Sequence, residues 1–354
     1  MAGPKAWTTP MLFAERQYGH YPTLGIGKHY PPGFAVVEAV FFVVFGVSEA
    51  SARLCVAFFG VLAAAGVYAF VRTIADRLAA MLAALLMIAI PATTHWGRQA
   101  MLEIPTLAVL TWSAVAFSWY LRQRTWRRFA VMAGAALLTI LFKQTAVFLI
   151  CAIAMALTWS SVRGRGPWSH AVCAVVLGLS ALGLMLVGLD DLCLKTVSGY
   201  DTFADRWGWS SLTFYLRTLP EQTGMIVLPA AALGALLTAR RMSDHWWLLA
   251  AWLFTSYVMV TVASLKTPRF FYVGLFPLVV GAAFGAARCV RLVPSARLRA
   301  ATAVIGCACI ACAGFARPVP DGPDFGAMVT ANRERIEGKV VLFSGLRDGD
   351  FIFA

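Results

Sequence analysis

Charge is the scarcest commodity in this sequence. Only 13% of its 354 residues are Asp, Glu, Lys or Arg, against roughly 25% in an ordinary soluble domain. Hydrophobic residues make up 60%, and mean hydropathy is +0.73. A chain this poor in charge has lipid as its solvent. Acids are scarcer than bases, 17 against 30. No P-loop, no His-Glu-x-x-His and no Gly-x-Ser-x-Gly elbow is present, so those chemistries are excluded. Low-complexity tracts and solenoid repeats are also missing. Seven of the eight Cys, all but Cys193, fall in or beside apolar runs. They imply no disulfide framework. The run Cys307-Ala-Cys309-Ile-Ala-Cys312 has no His or acid near it, which makes it helix packing and not a metal site.

Uncharged runs occupy residues 54–71, 78–94, 104–121, 129–142, 144–162, 166–189, 223–239, 246–265, 270–287 and 300–316. A crossing takes about 20 apolar residues, so the pattern predicts an all-α, polytopic membrane protein of about ten transmembrane helices. Counted over alternate loops, one side receives Arg72, Arg77, Arg122, Arg124, Arg127, Arg128, Arg163, Arg165, Arg240, Arg241, Arg288, Arg291, Arg297 and Arg299. The short turns on the other side hold only Arg98, Lys143, Lys266 and Arg269. The positive-inside rule places the first group in the cytoplasm. That distribution makes the net charge of +13 a topology signal, and a nucleic-acid partner is not expected. Trp126, Trp159, Trp168, Trp246 and Trp247 stand near predicted helix ends, as interfacial anchors do.

Segment 33–48 is apolar but short and carries Glu38, which is costly in mid-bilayer. It is expected to be a juxtamembrane or re-entrant helix. The organisation read here is an outer N-terminal segment over 1–53, a transmembrane domain over 54–316 with an outer loop at 190–222, and an extracytoplasmic tail over 317–354. Strand-like stretches Val340–Phe343 and Phe351–Phe353 predict a small soluble domain continuing past Ala354.

The polar residues on the outer side then stand out. His95-Trp-Gly-Arg98 and Glu103 lie at a helix mouth, where an acid is favoured whatever its role. Lys28-His29-Tyr30-Pro31-Pro32-Gly33 reads as a rigid entry turn. Lys143-Gln144 and Lys266-Thr-Pro-Arg269-Phe-Phe-Tyr272 interrupt apolar runs. Outer cations can snorkel to headgroups, or converge on a phosphate ligand. Asp190-Asp191 reads as a solvated turn.

The order of these features resembles the GT-C membrane glycosyltransferases. The pattern runs from the Pro-Pro turn through Phe45-Gly46-Val-Ser48 and Arg53, an Arg72–Arg77 turn and a helix ending near Pro91, to Gly97-Arg98-Gln99-Ala100 and Glu103. The similar branch is that of the dolichyl-phosphate-mannose protein mannosyltransferases and aminoarabinose transferases, and the likeness is clearest over residues 28–150. It implies a GT-C-like helical bundle that takes a sugar from a polyprenyl-phosphate donor and inverts it onto a hydroxyl of protein, lipid or glycan. It implies an active site on the extracytoplasmic face, in a bacterial inner membrane facing the periplasm. A carboxylate in the outer loops would act as general base, with Glu15 and Glu103 as catalytic candidates. Lys28, Arg98, Lys143, Lys266 and Arg269 would bind the donor phosphate. His29 stands where some members place a metal-ligating acid, which leaves a divalent metal open. Relatives begin with a transmembrane helix followed by an acidic pair. Here Glu15 is the one acid before the Pro-Pro turn, so a longer parent chain is expected. A transporter or flippase of lipid-linked sugars, or a non-catalytic membrane subunit, would also suit such outer cations. Transporters, however, tend to show paired halves, which this sequence lacks.

Overall fold

The computed structural model describes residues 31–46, 48–98, 101–188, 205, 207–238, 243–263 and 266–315. Glu15, Lys28, His29, Asp190-Asp191 and the 317–354 tail lie outside these residues. Among the described residues fourteen α-helices follow one another: α1 (Gly33–Phe45), α2 (Glu49–Ile74), α3 (Arg77–Ala89), α4 (Pro91–Trp96), α5 (Glu103–Arg122), α6 (Trp126–Ile140), α7 (Val147–Val162), α8 (Trp168–Gly188), α9 (Trp209–Leu212), α10 (Phe214–Thr223), α11 (Val227–Thr238), α12 (Asp244–Val262), α13 (Leu275–Arg291) and α14 (Ala296–Phe315). Short 3₁₀ turns, Gln144–Ala146 and Pro268–Gly274, lead into α7 and α13. Among the described residues there is no strand. Lipid leaves the backbone no outside hydrogen-bond partners, so each apolar run satisfies its own amides as a helix.

Every one of the ten apolar runs contains helix, and among the described residues some of these helices are shorter than a full span. Among the described residues five helices are long and apolar enough to cross a membrane, or six if the bent pair Trp209–Thr223 and Val227–Thr238 counts as one. The causes are local. Pro91 stops α3 at 13 residues and opens α4 at its N-terminus, the position proline tolerates best. The break at Lys143 stops α6 at 15 residues. Gly224, at φ 83°, takes a left-handed turn that favours glycine and bends the pair by 107°. The expected outer loop 190–222 is also partly helical, since α9 and α10 fill it from Trp209 onward.

The helix starts are written in the sequence. Ser48 accepts from the Ser51 amide at 3.1 Å, and Asp76 accepts from the Ala79 amide at 3.0 Å. Both are side-chain N-caps. At 13 residues, α1 is about 20 Å long, too short for a core of about 30 Å. It runs antiparallel to the start of α2, with Phe34 against Phe59 and Phe41 against Phe58. Glu38 is buried in this hairpin beside Cys55.

Ion pairs gather the arginine-rich loops at one end of the bundle. Asp244, at the start of α12, is held by Arg124 at 2.6 Å and faces Arg165 at 3.8 Å. The Ser160 hydroxyl donates to the same carboxylate at 3.1 Å. Arg291 pairs with Asp76. Trp126 and Trp168 are both 55% exposed at this end, as interfacial anchors are. The bundle is therefore polarised as the alternating charge count requires, and the protein is an integral membrane protein.

Candidate active site

The end of the bundle opposite the arginines is organised around one buried ion pair. Glu103 opens α5 and is 3% exposed. Lys143, in the break between α6 and α7, donates to its Oε1 at 2.9 Å. Sequence reading placed both residues at the same outer boundary without pairing them. Forty positions separate the two, and only the packing of α5 on α6 brings them together.

Arg269 lies within electrostatic reach of Glu103, in the 3₁₀ turn that precedes α13. That turn packs against α5. Three residues on, Tyr272 is fully buried and also senses the Glu103 charge. Its hydroxyl hydrogen-bonds the Thr93 hydroxyl at 2.9 Å. Thr93 belongs to α4, and the Gly97 amide donates back to the Thr93 carbonyl at 2.8 Å. The turn carrying half-buried Arg98 is thus pinned to the segment carrying Arg269. No signal in the sequence singles out Tyr272 for this contact.

The Pro-Pro-Gly turn reaches the same corner. The Gly33 amide donates to the Leu141 carbonyl at 2.7 Å, two residues before Lys143. The approach is so close that a Cβ on Gly33 would lie 2.5 Å from that oxygen. Phe142, next to the lysine in sequence, packs edge-on against Phe59 at 5.6 Å. Depth follows from α2. Gly60 faces Ile104, whose Cγ2 would lie 3.8 Å from a Cβ there. Arg53, which opens the apolar stretch of α2, is seven residues earlier, or about 10 Å along the axis. The ion pair is sunk below the charged end of α2 and walled by the α1–α2 hairpin.

Lys266 is placed differently from the other cations. It is 5% exposed, and its ammonium donates to the Thr261 and Val260 carbonyls at the C-terminus of α12. The Tyr215 ring lies 5.9 Å away. These contacts cap a helix end, where a cation is favoured by the exposed carbonyls. For metal binding, among the described residues no three His, Cys, Asp or Glu side chains gather.

Removing the Tyr272 hydroxyl tests the pin. Tyr272→Phe is expected to lower stability by ~1–3 kcal/mol, the cost of stranding a buried polar partner. Thr93→Val should cost a similar amount. The double variant should cost less than the sum, as measured by unfolding in detergent. Strict additivity would show that the two hydroxyls do not act together.

Residues 29–185 match the sequence model of the dolichyl-phosphate-mannose-protein mannosyltransferase family. No curated protein matches the chain in sequence. Among solved structures, ArnT from Cupriavidus metallidurans bound to undecaprenyl phosphate superposes with a TM-score of 0.56 at 18% identity, over 81% of this chain and 54% of that one. The Archaeoglobus fulgidus oligosaccharyltransferase in complex with Zn and sulfate gives 0.56 at 16% identity, over 92% and 50%. The oligosaccharyltransferase AglB from the same organism, in complex with an inhibitory peptide and a dolichol-phosphate, gives 0.54 at 16% identity, over 92% and 53%. The chain spans about half the length of the solved structures it matches. Its fold resembles that of these GT-C structures, as the order of sequence features implied.

Proposed function

We propose, taking the GT-C fold and the mannosyltransferase-type residues 29–185 as premise, that this chain is the membrane part of a glycosyltransferase. It transfers a sugar from a polyprenyl-phosphate donor to a hydroxyl of protein, lipid or glycan, at the extracytoplasmic face of a bacterial inner membrane. The observation that carries this reading is the Glu103–Lys143 pair with Arg269 beside it, sunk at the end away from the arginine-rich loops. The likeness to structures holding undecaprenyl phosphate and dolichol-phosphate supports the donor class, and the family match supports the reaction.

The chemistry needs three things. The acceptor hydroxyl must lose its proton as its oxygen attacks the anomeric carbon. The bond from that carbon to the phosphate oxygen must break, with its electrons leaving on the lipid phosphate. Fixed cations must then offset the charge that develops there. Lys143 and Arg269 are proposed for this last task, together with Arg98 and Lys28. The base has to reach the acceptor proton within hydrogen-bond distance. Glu103 is poorly suited, because it is buried and already holds Lys143. We assign it to fixing the lysine ammonium, and we keep Glu15 as the proposed base.

A transfer assay in membranes with polyprenyl-phosphate sugars tests this. Arg269→Ala is expected to lower turnover about 10²-fold, the usual loss when one charge-stabilising donor is removed. Glu15→Gln should abolish transfer while leaving thermal stability unchanged. Wild-type turnover in Arg269→Ala would dismiss the site; wild-type turnover in Glu15→Gln would dismiss the base.

A further inference from the structure

Away from this site, the arginine-rich half of the bundle carries a groove of about 690 Å³. Ligand pockets commonly measure roughly 300–1,000 Å³. Its floor is α7, which packs on both α8 and α12. Small residues, Ala154, Gly178 and Ala250, make the space, while Trp159, Trp247 and Phe254 form its sides. The inner end closes where Gly178 meets α7, with its Cβ position 3.8 Å from Ile150 Cγ2 and 4.0 Å from Cys151 Cα. Along α7 the lining runs from Cys151 to Val162, about 17 Å of helix. That is about half the ~30 Å hydrocarbon thickness of a bilayer. The groove therefore has the length of one leaflet.

Its mouth is chemically distinct from its length. Trp159 and Trp247 meet there, tilted by 38°, with ring centroids 4.1 Å apart. The Arg163 guanidinium lies over the Trp159 ring at 4.7 Å. Arg163 is exposed and enters no ion pair among the described residues. Neighbouring Arg165, by contrast, faces Asp244. An apolar slot one leaflet deep, ending in an aromatic pair and an unneutralised guanidinium, matches a lipid: a hydrocarbon chain below, an anion at the interface.

We propose that this groove is a binding site for an anionic phospholipid of the leaflet on the arginine-rich side. One acyl chain lies between α8 and α12, and the headgroup phosphate meets Arg163. The occupant is a membrane phospholipid and not the sugar donor, because the donor site lies at the opposite end of the bundle. A cation at an anionic membrane surface contributes about 1 kcal/mol, which sets a preference of about fivefold.

The experiment uses the full chain in nanodiscs with equal phosphatidylglycerol and phosphatidylcholine, released for native mass spectrometry. Wild type should retain phosphatidylglycerol over phosphatidylcholine about fivefold. Arg163→Gln should retain both equally. Ala250→Leu, whose side chain grows from an exposed position into the groove, should retain neither while unfolding at the wild-type temperature. Equal retention by wild type overturns the proposal, as does a preference that survives in Arg163→Gln or a retained lipid in Ala250→Leu. Added undecaprenyl phosphate should leave the retained lipid in place; its displacement would reassign the groove to the donor tail.

Discussion

Lys143→Met is expected to cost the protein ~3–5 kcal/mol of stability, the penalty for stranding one member of a buried ion pair, and, on the proposed function, sugar transfer as well. The residue left behind is the reason. Glu103 would be left at 4% side-chain exposure with its ammonium partner gone. Truncating both partners should behave differently. Lys143→Met with Glu103→Leu replaces the pair by apolar groups of similar size, which is often neutral or stabilising. The double variant should unfold close to wild type in detergent and still fail to transfer sugar. That split separates a structural pair from a phosphate ligand. Recovery of transfer in the double variant would reduce the pair to packing. An undiminished unfolding midpoint in Lys143→Met would show that the carboxylate is solvated after all.

Gly234→Ala is expected to destabilise the bundle by ~1–3 kcal/mol, the usual range for overpacking. α11 and α13 cross with their backbones in contact. A Cβ on Gly234 would run into the Gly281 carbonyl, and one on Gly285 into the Ala230 carbonyl. Backbone cannot rotate aside as a side chain can. Small residues at helix crossings in membranes exist for this approach. The displaced element is α13, which continues directly from the turn bearing Arg269, so transfer should fall with stability. Gly134→Ala is the matched control. A Cβ there meets nothing within 4 Å, and removing a helical glycine should stabilise by roughly 1 kcal/mol. Equal unfolding midpoints for the two variants would deny the close crossing.

Much of the site was legible before the structure, and the illegible part has a common cause. Glu103, Lys143, Arg98 and Arg269 stand out because charge is costly in or near lipid, so each interruption of an apolar run draws notice. Nothing in the chain says that Lys143 is the partner of Glu103, since Arg98 is far closer in sequence. Lys266 looks like Arg269 in sequence, yet one ammonium caps α12 while the other cation faces Glu103. Asp244, which gathers Arg124 and Arg165, has no local sequence pattern that sets it apart.

By itself the sequence determined the solvent, the helical content and the polarity of the bundle. Those follow from local facts: the backbone must satisfy itself in lipid, and arginine loops stay on one side. Tertiary structure alone decided which runs stop short of a full crossing, which cation meets which acid, and where a groove is left open beside α7. These depend on how closely two helices approach, and that is set by a glycine or an alanine meeting a partner from a distant part of the chain.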